Sequence, residues 1–289
     1  MANVLGVMGG SGIYDLPQLE DVQRLDVDTP FGRPSGPIVS ARHGETRLLF
    51  LPRHGAGHRL SPSNIDYRAN VAAMKLCGAT HLVSLSAVGS MREDIAPGEV
   101  VIVDQYLDFT KQRASTFFDD GIVAHVGFGD PVCPLLAREL VAAAKRAGAT
   151  VHDGGTYVCI EGPQFSTRAE SRFYRSLGVS VIGMTAMPEA KLAREAELPY
   201  ATVALVTDYD CWHETAESVS VHNVLAVLRS NADQAQRIVL ELSQSLPDAT
   251  HSPAHRALAS ALITAPEALG AEVRSRLGFL ISPHLSEHS

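Results

Sequence analysis

The stretch from Gly155 to Ser171, GTYVCIEGPQFSTRAES, restricts the fold more than any other part of the chain. Tyr157 to Ile160 is apolar and strand-forming, and Glu161-Gly162-Pro163 is a turn. Thr167 with Glu170 spells a capping box for a helix that reaches about Leu177 and stops at Gly178. A strand that turns directly into a helix belongs to an α/β sheet. In such sheets the carboxyl ends of strands and the amino ends of the following helices form the crevice where small anions bind. Glu161, at a strand's carboxyl end, is therefore a candidate functional group, whereas Glu170 is accounted for by its cap.

The same pattern recurs along the chain. Val4 to Met8 is an apolar run that delivers Gly9-Gly10-Ser11-Gly12. These glycines let backbone N–H groups approach an anion, and Ser11 is a candidate ligand. The loop is a poor dinucleotide fingerprint, because its glycine spacing is wrong and Pro17 breaks the following helix. It is not a P-loop either, because no Gly-Lys-Ser/Thr follows. Strands over Gly36 to Ala41 and Arg47 to Leu51 lead into Pro52-Arg53-His54-Gly55-Ala56-Gly57-His58, which suits neither helix nor sheet. Arg53 there offers an oxyanion a planar fork, and His54 a further donor. His54 and His58 have the spacing of metal ligands, but the glycines between them argue against a helix and no third ligand is evident, so no metal is expected.

A helix over Asn64 to Cys77, closed by Gly78, feeds a strand from His81 to Ser86, whose carboxyl end brings Ser86 and Ala87 toward the same anion. Glu99 to Asp104 is a further strand, Tyr106 to Phe118 a loop of mixed charge and aromatics, and Leu135 to Ala147 an amphipathic helix. Val179 to Ile182 is a strand running into Gly183-Met184-Thr185-Ala186-Met187, after which Pro188 and Glu189 open a helix. Tyr200 to Thr207 ends in Asp208-Tyr209-Asp210. If that chain stays extended, its period of two puts both carboxyls on one face. There each suppresses the other's ionisation, and one can remain protonated as an acid near neutral pH. Val221 to Ser245 is a long helix, and the Ala-rich tail from Asp248 carries short helices without evident chemistry.

No Pro/Gly/Ser-rich linker divides the 289 residues, so one domain is expected. A net charge of −8, from 24 basic and 32 acidic side chains, leaves no basic field for nucleic acid or an anionic membrane, so any anionic substrate must be held locally. Four scattered cysteines without a CxxC pair fit reduced thiols. No basic leader and no 18-residue apolar run are present, and a cytoplasmic location is expected.

Read together, GGSGIY at 9–14, PRHGAGH at 52–58, PSNIDYRAN at 62–70, SAVGS at 86–90, IEGPQFSTRAES at 160–171, MTAMPEA at 184–190 and TDYDCW at 207–212 resemble the trimeric purine nucleoside phosphorylase family, in particular its methylthioadenosine phosphorylase branch. The resemblance covers roughly residues 4–245, while 248–289 match poorly. It implies one α/β domain over 1–289, with a mixed central β-sheet flanked by helices, active as a homotrimer in purine and methionine salvage. It implies cleavage of a purine nucleoside by inorganic phosphate as co-substrate, with no cofactor. Carried over residue by residue, Ser11, Arg53, His54, Ser86, Ala87 and Thr185 would hold phosphate. Phe165 would pack on the base, Met184 would lie under the ribose, and Thr207 would line the substrate site. Asp208 would address purine N7 and Asp210 the exocyclic amine; Val221 and Val224 would line the pocket for an apolar 5′ group, and His125 would reach in from a neighbouring subunit. Gly183 departs from the asparagine common in adenine-specific members and is similar to relatives that act on 6-oxopurines, whereas the two aspartates favour an amine. A dehydrogenase or a non-catalytic nucleotide sensor is the alternative from another class.

Overall fold

Glycine-terminated apolar runs become strands here because their side chains are covered on both sides of one sheet. The computed structural model describes residues 3–10, 16–213 and 221–285, with the backbone alone at 221–226, 228 and 229. In chain order the strands are β1 (Val4–Gly9), β2 (Glu20–Leu25), β3 (Ile38–His43), β4 (Thr46–Pro52), β5 (His81–Ser90), β6 (Val100–Ile102), β7 (Gln105–Phe109), β8 (Val151–Asp153), β9 (Thr156–Ile160), β10 (Val181–Gly183) and β11 (Tyr200–Tyr209). The helices are α1 (Tyr67–Leu76), α2 (Pro134–Arg146), α3 (Arg168–Ser176), α4 (Ala186–Glu195), α5 (Val221–Ser243) and α6 (Ala271–Leu285). The strands form one mixed sheet in the order β2-β3-β4-β1-β5-β10-β9-β7, with β11 pairing both β5 and β6, and β8 pairing β6.

Two apolar layers cover this sheet. Val71 and Met74 of α1, Leu192 of α4 and Leu277 of α6 belong to one buried cluster, while Leu136 and Leu140 of α2 and Ile238 and Val239 of α5 belong to another. Under α3 lies a smaller cluster of Met91, Val158, Ile160, Tyr174, Val179 and Ile182. No described helix is long and apolar enough to cross a membrane.

Several elements differ from the sequence expectation. β5 does not stop at Ser86 but runs to Ser90, because β11 pairs with it from Leu82 through Ser90. Tyr106 to Phe109, expected as the start of a loop, belongs to strand β7, held at the sheet's edge by parallel pairing with β9. β2 has no apolar period and is almost wholly exposed, so only its pairing with β3 defines it. The helix expected from Asn64 begins at Tyr67, where the Asp66 side chain accepts from the Ala69 N–H. The tail is more than short helices: Val273, Leu277, Leu280 and Ile281 of α6 are core residues. Arg276 of that helix also donates to the Asp119 carbonyl at 2.6 Å, and the Phe279 ring meets Phe117 edge-on at 6.4 Å.

Candidate active site

A gap in the sheet sets out the first half of the site. On one edge β5 pairs with β1 through Ser84 and with β10 only from Gly89, so residues 85–88 have no strand beside them there. Arg53 from the end of β4, Tyr157 from β9 and Thr185 after β10 gather around this interval. Arg53 is 2% exposed. Its Nε and Nη2 grip Glu189 at 2.7 and 3.0 Å, Nη2 also reaches Ser84 Oγ and the Met8 carbonyl, and Nη1 donates to the Leu85 carbonyl at 3.2 Å. Burial opposes its charge, but the Glu189 carboxylate outweighs that and raises the Arg53 pKa. The fork read from the sequence as open to an oxyanion is thus closed on Glu189. Among the described residues, only one N–H of Nη1 is left without a protein acceptor.

Three hydroxyls sit beside this pair. Ser86 Oγ is 3.0 Å from Tyr157 Oη and 3.2 Å from Thr185 Oγ1, and all three residues are buried. Ala87, next along β5, is exposed. His54 bonds the Leu60 carbonyl through Nδ1 at 2.8 Å and stacks on His58. Burial, and secondarily the Arg53 charge, bring its pKa down to about 4. His54 is therefore neutral at neutral pH with its proton on Nδ1, which makes Nε2 an acceptor and not the further donor expected from sequence. Ser11 lies outside the described residues.

The second half lies where β11 outlasts its regular register. The ladder shifts between Val206 and Asp208, and Asp208 and Asp210 both crowd Gly89: a Cβ there would meet Asp208 Oδ1 at 3.1 Å and Asp210 Cβ at 3.4 Å. Thr207 Oγ1 donates to Asp208 Oδ2 at 2.6 Å, and the buried Ser171 hydroxyl of α3 donates to Asp210 Oδ2. Burial raises both carboxyl pKa values, and repulsion from Asp210 raises Asp208 further. No described side-chain hydrogen bond engages Asp208 Oδ1, and burial shifts this carboxyl toward the protonated form in which it could act as an acid.

Arg113 ties the carbonyls on either side of Thr185 to the turn at Glu161, and nothing in its sequence context singles it out. Its side chain is 1% exposed, although it comes from a charged loop. It donates to the carbonyls of Met184 at 2.7 Å, Met187 at 2.6 Å and Glu161 at 2.7 Å. Glu161 turns toward Ser63, the Lys111 N–H and Arg113, so its carboxylate anchors a loop. Gly162 has φ +64°, and a Cβ on it would lie 2.4 Å from Met184 Sδ, so both conformation and space require glycine. Phe165 is 51% exposed in the protomer. His125 is exposed; its N–H bonds the Ala261 carbonyl, and among the described residues no hydrogen bond or ring contact ties its side chain to the residues above. Val221 and Val224 begin α5, and their side chains lie outside the described residues. Among the described residues, no three His, Cys, Asp or Glu side chains group as metal ligands.

Known proteins share this sequence and fold. The family model described as the phosphorylase superfamily matches residues 4–244. The S-methyl-5′-thioadenosine phosphorylase of Geobacter sulfurreducens is 52% identical over 286 residues, which are 99% of this chain and 100% of that protein. A crystal structure of methylthioadenosine phosphorylase from an antarctic soil metagenomic library superposes with a TM-score of 0.92 at 48% identity, covering 96% of this chain and 99% of that one. The methylthioadenosine phosphorylase of Schistosoma mansoni in complex with adenine superposes at 0.82 with 33% identity, covering 97% and 98%. On its sequence, its sheet and these relatives, the chain belongs to the phosphorylase superfamily.

Proposed function

We propose that the chain cleaves 5′-methylthioadenosine with inorganic phosphate, giving adenine and 5-methylthioribose 1-phosphate. The observation that carries this reading is the division of one site into two chemistries. The hydroxyls of Ser86 and Thr185 and the remaining Arg53 N–H suit an anion, and the Asp208–Asp210 pair suits a base that must be protonated as it leaves. The names of the relatives give the substrate. A phosphate oxygen attacks the anomeric carbon while the glycosidic pair withdraws into the purine, and Asp208 Oδ1–H protonates N7. Asp208 is left as a carboxylate and regains its proton from solvent. Asp210 accepts from the exocyclic amine. The bound phosphate is both nucleophile and a counter-charge to the cationic sugar, so neither a cofactor nor a covalent enzyme intermediate is called for.

By resemblance alone, Gly183 favours a 6-oxopurine. A Cβ there would stand 2.0 Å from Tyr157 Oη, so the glycine answers to Tyr157 and requires no explanation from the base. We further propose a cytoplasmic homotrimer serving purine and methionine salvage, with His125 completing a neighbour's site. His125 and Phe165 are both exposed in the protomer, and Phe173 and Leu177 of the α3 region present further exposed apolar surface. The test is a panel of methylthioadenosine, methylthioinosine, adenosine and inosine with and without phosphate. Phosphate-dependent release of adenine from methylthioadenosine is expected. Equal turnover without phosphate, or preference for methylthioinosine, would overturn the reading.

A further inference from the structure

Tyr157 is buried in the sheet, with its Oη beside the interval of β5 that is open on one edge. The Thr185 backbone N–H, 3.4 Å away, donates to it. The phenol also meets Ser86 Oγ at 3.0 Å and the Thr185 hydroxyl, and it has one proton to give to that pair. When it donates to Ser86, the Ser86 proton turns away from Tyr157, toward Thr185 Oγ1 at 3.2 Å or into the gap. The tyrosine is thus the buried end of a short hydroxyl chain.

We propose that Tyr157, with Gly183 as the vacancy that admits it, is a positioning residue for phosphate, orienting the Ser86 and Thr185 hydroxyls so that both donate to the anion. This rests on the phosphorolytic reading above and adds a residue to it. The pairing is steric as well as polar, since a Cβ at Gly183 would lie 2.0 Å from Tyr157 Oη and 2.6 Å from its Cζ. Any side chain at 183 therefore displaces the phenol. Burial pushes the Tyr157 pKa up to about 12, so the phenol keeps the proton this role needs.

The test is steady-state kinetics on Tyr157→Phe, which keeps the ring and removes only the oxygen. The phosphate KM is expected to rise about ten-fold, the value of roughly one hydrogen bond, while the nucleoside KM stays within about two-fold. Gly183→Ala is expected to raise the phosphate KM at least as much, and to add nothing in a Tyr157→Leu background, because the two positions act as one unit. Thermal melts of each variant separate lost folding from lost orientation. A Tyr157→Phe enzyme with unchanged phosphate KM, or one whose two KM values rise together, would overturn the assignment and leave phosphorolysis standing. A wild type indifferent to phosphate would overturn both.

Discussion

At the anion end of the site charge is fixed before any ligand arrives: Arg53 and Glu189 are almost wholly buried and neutralise each other within a cage of carbonyl and hydroxyl groups. At the base end burial instead raises the Asp208 and Asp210 pKa values, shifting both carboxyls toward their protonated forms. On the proposed function, the contrast follows from what each end would do. An anion that binds and is transferred needs a constant field, whereas a leaving base needs a proton that can be given and recovered. Rigidity at one end and a movable proton at the other are compatible because β5 serves both, through the interval at residues 85–88 that is open on one edge and through Gly89.

The comparison is broken most severely at Glu189. Glu189→Ala leaves the Arg53 charge buried without its partner, so urea unfolding is expected to report a loss of about 3–5 kcal/mol. A loss below about 1 kcal/mol would mean that water or another group already stabilises Arg53, and that this end is less fixed than its geometry implies. At the other end Asp208→Asn removes the acid without unpairing a charge. The variant is expected to fold normally and to lose about 100-fold in kcat/KM on methylthioadenosine, with a relative gain on methylthioinosine because an amide can donate to a 6-oxo group. A raised carboxyl pKa also means that kcat falls as pH climbs through it. An alkaline limb present in the wild type and abolished in Asp208→Asn would assign that limb to this proton.

The smallest effect is expected outside both ends. Glu195 accepts from the Thr116 hydroxyl and the Phe117 N–H, yet burial raises its pKa from 4.5 to about 7. Its protonated form is favoured in the fold, so its stabilisation is complete below pH 4.5 and is lost as pH rises toward about 7. Glu195→Gln is expected to flatten that decline in melting temperature by a few degrees, corresponding to roughly 1 kcal/mol. An unchanged pH profile would place the titration elsewhere. Acid acts in the opposite sense through His54, whose depressed pKa withdraws stability as pH falls from 6.5 toward 4.

What the sequence discloses follows from distance along the chain. The capping box of Thr167 and Glu170 forms as read, with both reciprocal bonds in place, because its parts are three residues apart. The strand ends that carry Arg53, Ser86 and Asp208 are legible because apolar runs end in glycine or charge, although β5 and β11 each extend past the expected boundary by pairing with one another. The partners of these groups are not legible. Glu189 reads as a first-turn carboxylate, and its ion pair spans 136 residues; Tyr157 reads as one more apolar strand residue, and its bond to Ser86 spans 71. Arg113 sits in a stretch of mixed polarity whose burial depends on carbonyls brought together by two other segments, at 160–161 and 184–187. Such long-range polar pairing leaves no periodicity to read.

The helix α6 places one more condition on the site, in the order of synthesis. It fastens Asp119 and Phe117, on the segment that carries Arg113 to its carbonyls, and its Arg276 comes 157 residues after Asp119. On the ribosome the segment emerges long before α6, and until that helix docks it is held by Glu195, through Thr116 and Phe117, and by Arg68, through Asp119. A nascent chain stalled before Gly270 is expected to bind nucleoside more weakly than the full chain; equal binding would mean that Glu195 and Arg68 suffice to hold the segment.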